Sequence, residues 1–319
     1  MESATTTRNP VEPGQLESPG AGVGWPLQAR ERSLLATLRD YIALTKPRII
    51  SLLLLTTLAT MFAADPDGPA LATVLWTMLG GYLAAGGAGA INHYIDRDRD
   101  ARMARTRGRP LVAGRIEPRH GLMFGVALGA LATVQLAITV NPLAAALALT
   151  GLLGYVFVYT MWLKPLTPQN IVIGGAAGAM PPLVGWAAAT GGLSIDALYP
   201  FGIVFLWTPP HFWALSLLIK DDYARTGVPM LPVVRGEAVT RRQILAYTLI
   251  LVAFTLMPVA TGFLGAIYAV AAALLGGGFI ALAVRLLRQP SRRAALRLYL
   301  SSLAYLALLF CAMAADRVI

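Results

Sequence analysis

Stretches of about 20 apolar residues recur along the whole chain, and no other feature constrains its fold as strongly. They cover 44–64, 71–92, 121–140, 143–163, 170–190, 198–219, 243–262, 265–287 and 296–315. Roughly 20 residues at about 1.5 Å each is the length of a helix that crosses ~30 Å of hydrocarbon. Inside a bilayer every backbone N–H and C=O must be satisfied within the protein, which leaves only helices and closed barrels. Barrel strands alternate apolar with polar residues, and these runs are continuous. With 56% hydrophobic and 13% charged residues over 319 positions, the chain also lacks the charge that a soluble domain of this size displays. The expected fold is all-α, a polytopic membrane protein with nine transmembrane helices.

A net charge of +10 invites a nucleic-acid reading, but its distribution argues against one. Arg30, Arg32 and Arg39 precede the first span, and Lys46 and Arg48 lie at its start. Eight arginines lie between Arg97 and Arg119, and Lys164 follows the fourth span. Lys220 to Arg242 and Arg285 to Arg297 supply the remaining clusters. The intervening loops 65–70, 139–142, 190–197 and 262–265 hold no Lys or Arg. This alternation is the positive-inside pattern, so the expectation is a multi-pass protein of the cell membrane, with its N-terminus cytoplasmic and its C-terminus outside. Residues 1–38 are rich in Thr, Pro, Gly and Glu without an apolar core and read as a disordered cytoplasmic tail, leaving 39–319 as the helical domain. The single cysteine, Cys311, lies in the last span and excludes an intrachain disulfide.

Chemistry concentrates where the second span ends. Asn92-His-Tyr-Ile-Asp96-Arg-Asp-Arg-Asp100 places three carboxylates in five positions after a charge-free apolar helix. Asn92, Asp96 and Asp100 are four apart, so at about 100° per residue they drift only ~40° per step and share one helix face. An oxygen-rich face at the edge of a span suits Mg²⁺, a hard cation that takes a few carboxylates and a substrate phosphate. The competing reading is a juxtamembrane loop that merely sets topology. Asp98 points elsewhere and is expected to pair with an arginine. Arg105 and Arg109 are the arginines chosen as phosphate forks. Lys164 reads equally as a boundary lysine or, with Tyr159, as a diphosphate contact.

A second acidic pair, Asp221 and Asp222, follows the sixth span. Before it stands Trp207-Thr-Pro-Pro-His211-Phe-Trp213, whose two prolines are expected to kink or open the helix. His211, flanked by aromatic residues, reads either as a buried structural histidine or as a group facing a flat aromatic ligand and its metal. Two polar caps on one side of the bundle suggest one shared cavity. The glycines of spans 2 and 5 read as packing positions.

These strings resemble the UbiA superfamily of intramembrane prenyltransferases, and within it the heme branch. The likeness rests on Leu44-Thr-Lys-Pro-Arg48, on Asn92 to Asp100 and on Met103-Ala-Arg-Thr-Arg-Gly-Arg-Pro110. Thr167-Pro-Gln-Asn-Ile-Val-Ile-Gly-Gly175, Trp207-Thr-Pro-Pro-His-Phe-Trp-Ala-Leu215 and Asp221 to Pro232 extend it over most of 40–240. The resemblance implies nine helices around a central cavity and transfer of farnesyl from farnesyl diphosphate to a vinyl group of heme B, with Mg²⁺ as cofactor. Water must enter after carbon–carbon bond formation to give a hydroxyethylfarnesyl chain. Asn92, Asp96 and Asp100 would form the first Mg²⁺–diphosphate motif and Lys164 a diphosphate contact, with His211 on the heme side; where the superfamily's second motif spaces aspartates along a helix, His211 and the adjacent metal candidates Asp221 and Asp222 stand here. It leaves open whether product passes to a heme-modifying partner enzyme. The superfamily's Lys-Arg pair after the fourth span is Lys164-Pro165 here, one cation fewer at the diphosphate. The alternatives are another UbiA-type aromatic prenyltransferase, or a heme-handling membrane carrier, whose polar groups should lie nearer mid-bilayer.

Overall fold

A computed structural model describes residues 33–319, and the described residues are helical with no strand among them. The first 32 residues of the expected tail lie outside them. The tail boundary expected at 38 moves, because helix α1 (Leu34–Thr45) begins at once, with the Ser33 side chain accepting from the Ala36 N–H at 3.3 Å. Leu34, Leu38 and Ile42, four apart, are 85%, 55% and 46% exposed. An apolar exposed stripe on a short helix next to a span is the pattern of a helix lying in the membrane interface.

Nine helices among the described residues are long and apolar enough to span: α2 (Pro47–Ala64), α3 (Leu71–Ile95), α4 (Pro118–Thr139), α5 (Pro142–Leu166), α6 (Asn170–Thr190), α7 (Ile195–Leu218), α8 (Gly236–Ala260), α9 (Ala266–Arg288) and α10 (Arg292–Val318). Each coincides with an apolar run of the sequence. Their starts are chemically marked. Pro47, Pro118 and Pro142 sit in first turns, where the missing N–H costs nothing. The Asn141 side chain caps α5 through the Ala144 N–H and also donates to the Ala187 carbonyl, tying α5 to α6.

Neighbours in sequence pack as neighbours in space, α2 also packs along α6, and α10 packs on both α2 and α7. The tightest seam joins α3 to α4. A Cβ on Gly87 would lie 2.7 Å from the Gly125 carbonyl oxygen and 2.9 Å from the Gly129 nitrogen, so only glycine allows the two backbones this close. Gly174 gives way to the Tyr159 ring and Gly175 to Thr208, both packing roles, whereas Gly178 faces open space. Pro209 and Pro210 do not end α7, which runs through both, with Thr208 Oγ1 donating back to the Val204 carbonyl at 2.8 Å. The helix is surrounded by neighbours that hold its direction.

Candidate active site

The Arg-rich end of the bundle holds Asp96 and Asp100, the buried carboxylates among the described residues. At the end of α3, Asp96 occupies one turn residue and a short helix, Arg97–Ala101, follows. The Asp96 N–H bonds the Asn92 carbonyl at 2.9 Å and the Asp100 N–H bonds the Asp96 carbonyl at 2.8 Å, so the four-residue spacing carries across the junction. Asn92, Asp96 and Asp100 are 4%, 2% and 4% exposed and face inward together. Asp98 lies outside, 3.7 Å from Arg97.

Buried carboxylates require partners, and each has one. Asp96 Oδ2 accepts from Lys164 Nζ and from Asn92 Nδ2, while Asp96 Oδ1 accepts from Arg99 at 3.2 Å. Asp100 is ion-paired with Arg109. Asn92 Oδ1 accepts from Lys46 Nζ at 2.6 Å. Burial works to raise the Asp96 carboxyl, but Lys164, Asn92 and Lys46 outweigh it and hold it below the ordinary range. Burial lowers the Lys46 ammonium to about 7, with Arg109 and Lys164 adding to the effect and Asp96 and Asp100 opposing it.

Lys46 was not among the site residues expected from sequence, and it supplies a cation that Lys164-Pro165 had left missing. It occupies the corner between α1 and α2 with φ 59 and ψ 54, the one non-glycine left-handed residue among the described residues. That conformation ends α1 and aims the next helix, which Pro47 starts. A non-glycine residue held there costs about 1–3 kcal/mol, and such strain gathers at functional sites. The signal was a lysine at the mouth of an apolar span just before proline, which reads more simply as a topology charge.

Lys164 owes its reach to an irregularity in α5. Residues Gly154–Leu163 form a π-helical stretch, with the Lys164 N–H bonded to the Tyr159 carbonyl five residues back. The widened turns stack the Tyr155 and Tyr159 rings, 5.4 Å between centroids, and turn Thr160 Oγ1 inward to accept from Asn92 Nδ2 at 3.2 Å. π-helical turns occur often at functional sites.

The other expected residues divide. Arg105 is exposed and makes no hydrogen bond or ion pair among the described residues, though its charge acts on Tyr223. Asp221 is exposed, and Asp222 pairs with Arg225 three residues on. Among the described residues no group of three or more acidic, His or Cys side chains is close enough to share a metal, so the four aspartates do not form one cluster. Tyr223 lies between the pairs. Burial chiefly raises its hydroxyl, with the charges of Asp96 and Asp222 adding to the rise. His211 is 7% exposed, stacked on Trp207 at 4.2 Å and near-parallel to Tyr299 at 4.9 Å. Next to it, Phe212 packs against a cluster that contains Ile171, Tyr223 and Met103, joining the histidine's helix to the acidic end. His93 is buried, with neither ring nitrogen bonded.

The donor set suits a hard divalent cation, since two carboxylates and an amide oxygen share a face and leave positions for water and phosphate. The cations now on those oxygens would turn to the phosphate.

Comparison with known proteins bears on the family and the fold. The sequence profile of the UbiA prenyltransferase family matches residues 53–310. A protoheme IX farnesyltransferase of Roseiflexus sp. (strain RS-1) is 56% identical over 282 residues, 88% of this chain and 53% of that protein. One from Symbiobacterium thermophilum is 53% identical over 292 residues, 91% of this chain and 98% of that protein. The chain thus spans about half the length of the first and nearly all of the second. Among solved structures, a UbiA homologue from Archaeoglobus fulgidus bound to DMAPP and Mg²⁺ superposes with a TM-score of 0.61 at 16% identity, over 86% of this chain and 99% of that one, and so shares the fold.

Proposed function

The chain belongs to the UbiA prenyltransferase family, and from that premise we propose that it transfers a farnesyl group from farnesyl diphosphate to one vinyl carbon of heme B while water adds a hydroxyl to the other and loses a proton, giving heme O and diphosphate. The observation that carries this reading is the buried Asn92, Asp96 and Asp100 face, ringed by Lys46, Lys164, Arg99 and Arg109. That arrangement suits a magnesium diphosphate, whose oxygens would receive the cations as the carboxylates take the metal. Bound Mg²⁺ would be held by Asp96 and Asp100 with Asn92, and would neutralise charge building on the leaving diphosphate. Lys46, Lys164 and Arg109 would share that charge from fixed positions, which is how preorganised donors lower a barrier. Asp222, across Tyr223, would enter only through a second metal or a water.

The acceptor follows from the identity to proteins named protoheme IX farnesyltransferase and from His211 between aromatic rings on α7. His211 would contact the heme, and Phe212 would join its pocket to the diphosphate face. The charge alternation supports a cytoplasmic orientation for the Arg-rich end and a periplasmic or extracellular one for the opposite end.

The test is a product assay. Purified protein in nanodiscs receives heme B, farnesyl diphosphate and Mg²⁺, and extracted hemes are weighed by mass spectrometry. A heme heavier by a farnesyl and a hydroxyl group is the expected product. Transfer to a benzoate-type acceptor alone would replace heme with an aromatic acid, and heme binding without transfer under all conditions would point to a carrier.

A further inference from the structure

The neighbours of His211 specify which of its nitrogens is available. Ser302, on α10, places its Oγ 2.6 Å from the Tyr299 carbonyl oxygen and 2.7 Å from His211 Nδ1. Two oxygens 2.6 Å apart repel unless a proton lies between them, so the Ser302 hydroxyl donates to Tyr299. Its one proton is then spent, and the contact with His211 requires the proton on the imidazole: Nδ1–H donates to Ser302 Oγ. In a neutral ring Nε2 therefore carries a bare lone pair. No protein group bonds Nε2 among the described residues, and unlike the nitrogens of His93 it is not sealed away.

The same serine is fixed from a second direction. Trp207 Nε1, one turn before His211, donates to the Ser302 carbonyl at 2.8 Å. Two bonds from α7 thus converge on one residue of α10, and the Trp207 and Tyr299 rings lie near-parallel to the imidazole at 20° and 30°, restricting its rotation. A buried histidine needed only for packing could satisfy either nitrogen. This one has its inner nitrogen bonded, its plane held and its outer lone pair left open. That is how metal-ligating histidines are held, with the second nitrogen bonded so that tautomer and direction are fixed.

We infer that Ser302 is a positioning residue that fixes His211 as the Nδ1–H tautomer, so that Nε2 ligates the iron of the porphyrin acceptor. This rests on the heme reading above. The ligand orients the macrocycle, and thereby the vinyl group offered to the allylic diphosphate, while itself taking no part in bond making.

The first test uses the protein without heme. Nitrogen-15 NMR of histidine-labelled protein, assigned by difference against H211N, is expected to show His211 with a protonated Nδ1 and an unprotonated Nε2. S302A should mix the tautomers and S302T should restore them. Heme B is then titrated in. Wild type is expected to give the absorption and resonance Raman signature of histidine ligation, H211N to lose it, and S302A to weaken heme affinity about 10-fold, the usual loss when a ligand's hydrogen-bond partner is removed. S302A should also lower the iron–histidine stretching frequency, a shift that loosened packing alone would not produce. Heme bound by H211N with the wild-type spectrum, or a reversed tautomer in the apoprotein, would overturn the inference and leave the heme reading standing. Failure of wild type to bind heme at all would overturn both.

Discussion

Asp96 and Asp222 are both aspartates at the Arg-rich end, each just beyond a long helix, yet the protein treats them differently. Asp96 is 2% exposed, bonded by residues from α3 and α5, and shares Asn92 with Lys46 from the α1–α2 corner. Asp222 answers only to Arg225, its own helix neighbour, and Asp221 beside it is exposed. The first carboxylate is held by the tertiary structure and the second by a local pair. A preorganised group contributes to catalysis without moving, whereas a pair between neighbours on one short helix fixes nothing beyond that helix.

The largest break in this comparison should come from Asp96→Asn or Asp100→Asn, with turnover lowered about 1,000-fold or more in the heme prenylation assay. Asp96→Asn also strands Lys164, and loss of a buried partner costs roughly 3 kcal/mol or more; thermal unfolding should register it, while Asp222→Asn should shift the transition little. Next come Lys46→Met and Lys164→Met, each expected to lower kcat/KM about 100-fold, or ~2.7 kcal/mol. Retained activity in Lys46→Met would return that lysine to a topology role. Asp222→Asn is expected to cost about 10-fold and Asp221→Asn less. If Asp221→Asn proved as damaging as Asp96→Asn, the second loop must close over the substrate and the contrast would hold only in its absence.

The smallest effect concerns pH. Lys46 gives up its proton at about 7 when folded and at ~10.4 when unfolded. Between those values the folded protein binds fewer protons, so this group favours folding increasingly as pH rises through the window. Diphosphate binding restores the charge, so above pH 7 it must take up a proton and its affinity should decline. Calorimetry at pH 8 in buffers of different ionisation enthalpy would reveal that uptake, and Lys46→Arg should abolish it.

Much of this was legible in the chain. Span count and positions follow from length and continuous hydropathy, which bilayer solvation makes nearly sufficient. Asn92, Asp96 and Asp100 were readable because helical spacing is local. Lys46 and Ser302 were not, because each acts on a partner 46 or 91 positions away, and sequence spacing does not encode that distance. The π-helical turns of α5 also left no mark in hydropathy. Pro209 and Pro210 do not end α7, because a breaker in an isolated helix is tolerated where neighbours fix its course.

The four cations on the Asn92–Asp96–Asp100 face have a thermodynamic consequence. With no substrate present the carboxylates and amide oxygen are already occupied by Lys46, Lys164, Arg99 and Arg109. A divalent ion arriving alone must displace cations that have nowhere to go, and a diphosphate arriving alone must compete with the carboxylates for them. Arriving together, each supplies the partner that the other's entry sets free. Under the proposed function the two ligands therefore bind with positive coupling, and by linkage the factor by which metal tightens diphosphate equals the factor by which diphosphate tightens metal.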